Sequence, residues 1–260
     1  MIGIIGGSGL YQIEGVVIKK TKKIRTPFGN PSDSYMFGEF SGRKVVFLPR
    51  HGKWHSIPPH RINYRANIWG FHELGVERII SIGAIGGISS MLKPGNIVVL
   101  DQIIDMTKGR DTTFYEGKGG VYHIDLTEPY CPELSTVIRK ASKKAKIKVK
   151  KSGTYVCSNG PRLETRAEIE FFSRIGADVV GMTAMPEAAL AREAEICYAG
   201  IAVVTNYAPG VVEKKLTATE VVEVMHKTSD RLKELLKEAL ILIPNERRCA
   251  CKDALKEAKV

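Results

Sequence analysis

The chain of 260 residues has 39 lysine and arginine and 28 aspartate and glutamate residues, a formal charge of +11, and is 43% hydrophobic. This length can bury a large core and predicts one domain over 1–260 with a polar tail over 245–260. No apolar stretch approaches the roughly 20 residues of a membrane span, and the first apolar run meets glycines at once, as a strand does and a signal peptide does not. The composition excludes a membrane protein and favours a cytoplasmic one.

The positive charge lies partly in two clusters, Lys19–Lys23 and Arg139–Lys151. Neither cluster is interleaved with aromatic residues, and the lysines of the second are spaced along a helix-like segment. A solvated face is therefore favoured over a nucleic-acid surface, and no nucleic acid partner is expected.

Apolar runs alternate with helix-like stretches along the chain. Strands are predicted at Ile2–Ile5, Val45–Leu48, Arg78–Ile82, Ile97–Leu100, Gly153–Val156, Val179–Val180 and Tyr198–Val204. Helices are predicted at Ile62–Leu74, Pro132–Lys146, Arg166–Ile175, Glu187–Ala194 and Thr217–Ile241. This alternation predicts an α/β fold with a mixed or mainly parallel sheet.

The last predicted helix carries a capping-box pattern, with Thr217 three residues before Glu220. Its apolar positions form one face: Val221, Val222, Met225, Leu232, Leu235 and Leu236. We expect this helix to close the core.

Three separated segments carry residues suited to an oxyanion, and each follows a short apolar run. They are Ile5–Gly9 with Ser8, Pro49–Gly52 with Arg50 and His51, and Gly181–Thr183. Glycine backbone, hydroxyls and an arginine fork all bind phosphate oxygens, and ligands of open α/β sheets lie at the ends of strands. The segments therefore predict one phosphate site.

The glycine-rich start fits neither common nucleotide motif. It has no Gly-Lys-Ser/Thr ending, and a dinucleotide fingerprint from Gly7 would need glycine where Gln12 stands. His51, His55 and His60 have no metal-ligand spacing and are interrupted by prolines, so no metal is predicted there.

Five cysteines leave alternatives open. Cys131, Cys157 and Cys197 lie in or beside apolar segments, whereas Cys249 and Cys251 lie in the polar tail and are expected to be exposed. One alternative is that the first three are small buried side chains and the tail thiols have no role. The second is that they form disulfides, as intracellular proteins of hyperthermophiles can. A metal site is the least favoured of the three.

Seven ordered motifs together resemble one known family. They are Met1–Gly9, Pro49–His51, Asn63–Trp69, Lys93–Gly95, Asp101–Asp105, Gly160–Arg162 and Gly181–Glu187. The chain resembles the methylthioadenosine phosphorylase branch of the purine nucleoside phosphorylases along almost its whole length. The resemblance implies a single-domain three-layer sandwich with a central mixed sheet flanked by helices. It also implies trimers or pairs of trimers, inorganic phosphate as cosubstrate, and neither a cofactor nor a metal.

The resemblance assigns most of the site residues. It implies phosphate contacts for Ser8, Arg50, His51, Ala84 and Thr183, and packing of Met182 under the ribose. His123 would reach the 5′ end of a nucleoside bound to the adjacent subunit, in a pocket shared with Ala218 and Val222. Gly83 stands where the branch usually has threonine, so only backbone N–H groups at Gly83 and Ala84 would contribute there.

The base pocket departs from the branch at two places. Asn206-Tyr207-Ala208 replaces Asp-Tyr-Asp, and Glu164, after Leu163, replaces a serine; both resemble enzymes for inosine and guanosine. An amide at Asn206 can donate to O6 and accept from a protonated N7, while a carboxylate at Glu164 can accept the N1–H that adenine lacks. A turn-forming asparagine and a first-turn helix acid are the alternatives.

These residues predict phosphorolysis of 6-oxopurine nucleosides. Arg50, Ser8 and Thr183 would position phosphate for attack on C1′, and Asn206 would stabilise the leaving purine. The alternatives are a methylthioadenosine phosphorylase and a non-enzymatic nucleoside- or RNA-binding module. The apolar Ala218 and Val222 leave a 5′ hydroxyl and a 5′ methylthio group both open.

Overall fold

The computed structural model describes residues 1–7, 16–117, 119–213 and 217–260, with only the backbone of Ala218. Ser8, which the sequence assigns to phosphate, lies outside these residues. No described helix is long and apolar enough to cross a membrane.

Eleven strands and five helices are described. The strands are β1 (Ile2–Gly6), β2 (Val17–Lys22), β3 (Tyr35–Phe40), β4 (Arg43–Pro49), β5 (Arg78–Gly87), β6 (Ile97–Val99), β7 (Gln102–Asp105), β8 (Val149–Lys150), β9 (Thr154–Cys157), β10 (Val179–Gly181) and β11 (Cys197–Tyr207). The helices are α1 (Tyr64–Glu73), α2 (Pro132–Lys144), α3 (Arg166–Arg174), α4 (Ala184–Glu193) and α5 (Ala218–Leu242).

All the strands belong to one mixed sheet built around β5. β1 and β11 lie parallel to β5 on its two sides, and β4 lies parallel to β1. The pairs β2 with β3, β3 with β4, β6 with β11, and β10 with the end of β5 are antiparallel. β1 and the first half of β5 are buried on both faces, as expected for strands covered by helices on each side.

Helices cover both faces of the sheet. One apolar cluster joins Phe71 of α1 and Ala188 of α4 to one face, and another joins Ile138 of α2 and Leu236 of α5 to the opposite face. This arrangement confirms the predicted α/β fold with a central mixed sheet flanked by helices.

Each predicted strand and helix is present, with ends shifted by a few residues. The largest differences are at β5 and β11, which continue beyond the predicted ends at Ile82 and Val204. These continuations carry residues toward the cavity described below. Strands β2, β3, β7 and β8 were not predicted.

The two basic clusters occupy solvated positions. Every residue of β2, which contains Lys19 and Lys20, is exposed. In α2, Lys140 and Lys143 are exposed while Leu134, Ile138 and Ala141 are buried. A helix with one apolar and one charged face explains the second cluster.

Helix α5 closes the core as predicted. The Thr217 side chain accepts a hydrogen bond from the Glu220 backbone N–H at 3.3 Å, which caps its first turn. Met225, Leu232, Leu235 and Leu236 are buried, but Val222 is 58% exposed.

The C-terminal tail is less exposed than its composition predicts. Cys251 is 2% exposed and Cys249 is half-buried, so the expected exposure of these thiols is wrong. All five cysteines are free thiols in the structure, which gives the disulfide alternative no support.

Candidate active site

The ends of β1, β4 and β10 and the later halves of β5 and β11 border one cavity of about 530 Å³. Parallel strands deliver the chain segments after them to the same edge of a sheet, which explains why distant motifs meet here. The predicted site residues that line this cavity are Arg50, His51, Gly83, Ala84, Leu163, Glu164, Met182, Thr183 and Asn206.

Four predicted residues do not line this cavity. Ala208 is buried in a separate apolar cluster, Tyr207 is half-buried, and His123 is exposed. Val222 also lies outside, and its neighbour Val221 lines the cavity instead. Because consecutive helical residues point about 100° apart, only one of these two valines can face the site.

Arg50 is 1% exposed and held on several sides. Its Nε and Nη2 donate to the two carboxylate oxygens of Glu187 at 2.8 and 2.9 Å. Nη2 also donates to the Ser81 hydroxyl at 2.5 Å, and Nη1 donates to the Ile82 carbonyl at 3.1 Å. These contacts use four of the five guanidinium N–H groups, and the fifth is on Nη1.

Glu187 is 0% exposed and completes this buried network. The Tyr198 hydroxyl donates to Glu187 Oε2 at 2.7 Å, and the Ser81 hydroxyl lies 3.1 Å from the same oxygen. Burial works against the charged form of Arg50, and the Glu187 carboxylate overcomes it and raises the pKa of Arg50. Arg50 and Glu187 are thus a fully paired, electroneutral unit.

Gly7 makes the approach to Arg50 possible. A Cβ at this position would lie 2.8 Å from Arg50 Nη1 and 2.8 Å from the Ile82 carbonyl oxygen. Only glycine fits between these groups. Gly7 therefore lies directly beside the one guanidinium nitrogen that retains an N–H.

His51 is buried beside this pair as a neutral imidazole. Its Nδ1 lies 2.9 Å from the Ile57 carbonyl oxygen, and its ring stacks on His55 at 4.1 Å between centroids. Burial, followed by the nearby charge of Arg50, lowers the pKa of His51 to about 3. Since a carbonyl only accepts, Nδ1 carries the proton and Nε2 is an acceptor near neutral pH.

Asn206 is placed by a break in strand register. Val204 pairs with Ile85 but Asn206 pairs with Gly86, so Thr205 is an extra residue in β11. Such a bulge changes the direction of the side chains around it. The Thr205 hydroxyl donates to Asn206 Oδ1 at 2.8 Å, and Asn206 Nδ2 donates to the Tyr207 carbonyl at 2.9 Å. These contacts fix the amide and use one of its N–H groups and one lone pair of its oxygen.

Glu164 is 8% exposed and lines the same cavity. The Ser158 hydroxyl donates to Glu164 Oε1 at 2.5 Å and lies 3.4 Å from the Gly181 carbonyl. Ser158 therefore holds the carboxylate in place while its other oxygen remains an acceptor.

Met182 and Thr183 lie between Glu164 and Glu187 in the sequence. Thr183 precedes α4, its side chain makes no capping bond to that helix, and its N–H donates to the Tyr155 hydroxyl at 3.2 Å. Gly160 allows Met182 to lie close, because a Cβ there would come within 2.5 Å of the Met182 sulfur. The site thus combines a buried cation and hydroxyls with an amide and a carboxylate.

Several residues of the site carried no distinct sequence signal. Tyr198, Ser81 and Val221 appeared only as members of predicted elements, and Ser158 lay outside all of them. For Glu187 the one available signal was the Pro186-Glu187 pair at the end of the motif that begins at Gly181. Its partner Arg50 is 137 residues away in the chain.

Comparison with known proteins agrees with this architecture. The family model of the phosphorylase superfamily matches residues 1–241. A probable 6-oxopurine nucleoside phosphorylase of Thermococcus kodakarensis is 52% identical over 263 residues, covering 99% of this chain and 98% of that protein. A probable S-methyl-5′-thioinosine phosphorylase of Thermodesulfovibrio yellowstonii is 52% identical over 258 residues, covering 99% and 96%.

A solved structure is similar over the same length. Methylthioadenosine phosphorylase from Schistosoma mansoni in complex with adenine has a TM-score of 0.94 and 35% identity, covering 99% of this chain and 98% of that one. The fold and the cavity at its strand ends are those of a nucleoside phosphorylase. The chain belongs to the phosphorylase superfamily.

Replacing Glu187 tests the buried pair. We expect Glu187→Gln to lower the free energy of unfolding by about 3–5 kcal/mol, because it leaves the Arg50 charge buried without its counter-ion. Glu170→Gln, which removes the exposed partner of Arg174, should cost about 1 kcal/mol or less. Chemical denaturation of both variants measures the difference. Equal losses of unfolding free energy would contradict the large contribution assigned to the Arg50–Glu187 pair.

Acid should destabilise the chain partly through His51. The pKa of His51 is about 3 when folded and 6.5 ordinarily, so below pH 6.5 the unfolded chain binds a proton that the folded chain refuses. Stability is lost as the pH falls from 6.5 toward 3, by about 2 kcal/mol at pH 5. His51→Asn, whose amide can donate to Ile57, should remove this part of the pH dependence. The exposed His226→Asn should follow the wild type, and parallel curves for all three proteins would refute the assignment.

Proposed function

We propose that this chain is a purine nucleoside phosphorylase that cleaves 6-oxopurine nucleosides with inorganic phosphate. The products are a free purine base and a ribose 1-phosphate, as in purine salvage. The observation that carries the proposal is the presence of Asn206 and Glu164 in the cavity that also contains Arg50 and Thr183. The names of relatives at 52% identity support the same reaction.

Phosphate would bind at the Arg50 end of the cavity. The described donors would be the remaining Nη1 N–H of Arg50, the Thr183 hydroxyl and backbone N–H groups at Gly83 and Ala84. Ser8, next to Gly7 in the sequence, lies outside the described residues. Because Glu187 neutralises Arg50, hydrogen-bond geometry rather than excess charge would hold the anion.

His51 would recognise the protonated oxygen of phosphate. Its Nδ1 proton is committed to Ile57, so Nε2 can only accept near neutral pH. Hydrogen phosphate carries a P–OH that can donate to this nitrogen.

The purine would lie between Asn206 and Glu164. Asn206 retains one described N–H for O6 and one lone pair for a protonated N7. The second oxygen of Glu164 can accept N1–H, and the 2-amino group of guanine is a further donor to it. Adenine lacks N1–H and presents a donor at position 6, so both contacts would be mismatched.

The reaction follows from this placement. A phosphate oxygen attacks C1′ from the face opposite the purine, and the electron pair of the glycosidic bond leaves with N9. Sugar cation character and purine negative charge develop together, so the protein contributes by positioning phosphate and by stabilising the leaving base through Asn206. Phosphate is itself the nucleophile, and the scheme uses neither a metal nor a cofactor.

The 5′ end of the nucleoside would be completed by a second subunit. Val221 is the α5 side chain that lines the cavity, whereas His123 is exposed on its own chain. An exposed His123 is available to a neighbour, as expected for a trimer or a dimer of trimers. The apolar Val221 accepts a methylthio group and also tolerates a hydroxyl.

A methylthioadenosine phosphorylase is the second candidate. The Schistosoma mansoni enzyme, with a TM-score of 0.94, favours it. The two proposals differ in kcat/KM for phosphate-dependent base release from inosine, guanosine, 5′-methylthioinosine, adenosine and 5′-methylthioadenosine. Faster cleavage of the three 6-oxo substrates supports the first, and faster cleavage of the two adenine nucleosides establishes the second.

Asn206→Asp should shift this preference toward adenine nucleosides. A carboxylate only accepts, so it pairs with a 6-amino group and repels O6. We expect the ratio of kcat/KM for inosine and adenosine to fall by about tenfold to a hundredfold, the value of one mispaired buried group. The surface change Asn245→Asp should leave the ratio unaltered, and an unaltered ratio in Asn206→Asp would remove this residue from base recognition.

Gly83→Thr should strengthen phosphate binding. A Cβ at Gly83 meets nothing within 4 Å, so a side chain fits and its hydroxyl can reach an anion beside Arg50. We expect the KM for phosphate to fall by about tenfold, the worth of one hydrogen bond to a charged group. Gly83→Ala supplies the Cβ without the hydroxyl and should leave the KM nearly unchanged. An equal effect of both substitutions would show that bulk, not a donor, acts there.

A further inference from the structure

Four cysteines from three distant parts of the chain converge at the end of the molecule that holds the C-terminal tail. Cys131 precedes α2, Cys197 begins β11, and Cys249 and Cys251 flank the start of a short 3-10 helix in the tail. Their four sulfur atoms all lie within 4.8 Å of one another. Cys131, Cys197 and Cys251 are buried and Cys249 is half-buried.

The spacing of the sulfurs is that of a tetrahedral thiolate site. A zinc ion with four Zn–S bonds of about 2.3 Å holds its sulfurs roughly 3.8 Å apart. The sulfurs of Cys197 and Cys249 are 3.2 Å apart, whereas a disulfide would need about 2.05 Å. All four sulfurs therefore lie close enough together to bind a single ion.

The surroundings suit negative sulfur. Cys131 occupies the N-cap of α2, and the backbone N–H of Leu134 donates to its sulfur at 3.4 Å. A helix N-terminus favours a negative group at this position. Arg247, Arg248 and Lys252 adjoin the two tail cysteines in the sequence.

We propose that Cys131, Cys197, Cys249 and Cys251 bind one thiophilic divalent metal ion of the zinc type in a closed, structural site. All four protein ligands come from this chain, so the site leaves no open position for a substrate and serves stability rather than catalysis. The ion would join the tail to α2 and β11. It is far from the chemistry assigned to the cavity and does not enter it.

The tail continues from this cluster to the segment that contains His123. The backbone N–H of His123 donates to the Ala258 carbonyl at 2.8 Å, and that of Val260 donates to the Val121 carbonyl at 3.0 Å. Fixing the tail would therefore also fix the backbone of residues 121–123. Any effect on nucleoside binding rests on the proposed function, but metal binding does not.

Metal titration of the reduced, metal-free full-length protein tests the site. We expect one Zn²⁺ or Co²⁺ per chain, a thiolate-to-cobalt charge-transfer band with the visible spectrum of tetrahedral cobalt, and a higher melting temperature. Cys251→Ser and Cys249→Ser should each weaken Zn²⁺ binding by more than about 100-fold, since even second-shell changes cost 10–100-fold. Cys157→Ser removes a buried cysteine outside the cluster and should keep the stoichiometry and the spectrum.

Two outcomes would overturn the proposal. One is a reduced protein that binds no metal, or binds cobalt without a thiolate band. The other is the presence of two disulfides in protein purified without reductant. Its denatured chains would then show one titratable thiol in place of five and would be lighter by the mass of four hydrogens. Phosphorolysis is measured separately on the same samples, so failure of the enzyme proposal and failure of the metal proposal are distinguishable.

Discussion

The bidentate ion pair between Arg50 and Glu187 is the interaction on which the rest of the site depends. It is fully buried, and a buried charge is tolerated only when its partner and its hydrogen bonds are complete. Ser81 and Ile82 tie the pair to β5, and Tyr198 ties it to β11. The pair therefore fixes α4, which carries Glu187, against the strands whose ends form the cavity.

The second constraint is the long pairing of β5 with β11. The two strands run parallel from Arg78 and Cys197 until the bulge at Thr205 shifts their register. The shift comes at the point where the strands border the cavity and gives Asn206 its position. A regular continuation would place alternate side chains on fixed faces, so the bulge allows an amide to face the cavity at the end of a buried strand.

The sequence predicted the centre of this fold better than its margins. Strands such as β1 and the first half of β5 are nearly uniform apolar runs because both faces are covered, and such runs are recognisable from residue type alone. β2 is exposed along its whole length and β8 has two residues, so neither shows apolar periodicity. β2 takes its place in the sheet by pairing with the next strand, β3, and β8 by pairing with the sequence-distant β6.

The same distinction applies to the site. Arg50 and Thr183 were identifiable because their chemistry is visible in short motifs, whereas Asn206 and Glu164 were found through the family resemblance. The structure brings all four to one cavity. Val222 was assigned through the resemblance, and the structure places its neighbour Val221 at the cavity instead, a difference of helix phase that an apolar pair leaves ambiguous. Glu187, and the meeting of four cysteines, depended on contacts between residues 52 to 137 positions apart, and no local pattern encodes these.

The chain as a whole is strongly positive, whereas the positive charge of Arg50 in the cavity is neutralised by its partner. The chain carries +11, and the basic residues of β2 and α2 are at its surface, where they raise the local concentration of anions. Within the described part of the cavity, Arg50 is neutralised by Glu187 and His51 is uncharged. The described lining therefore has no unpaired positive charge. Attraction would act on the approach, and recognition would come from N–H groups, hydroxyls and the Nε2 acceptor of His51. In such a site each donor would have a large share of the affinity. A glycine at position 83, with space around it and no hydroxyl, would therefore limit how tightly the proposed site holds phosphate.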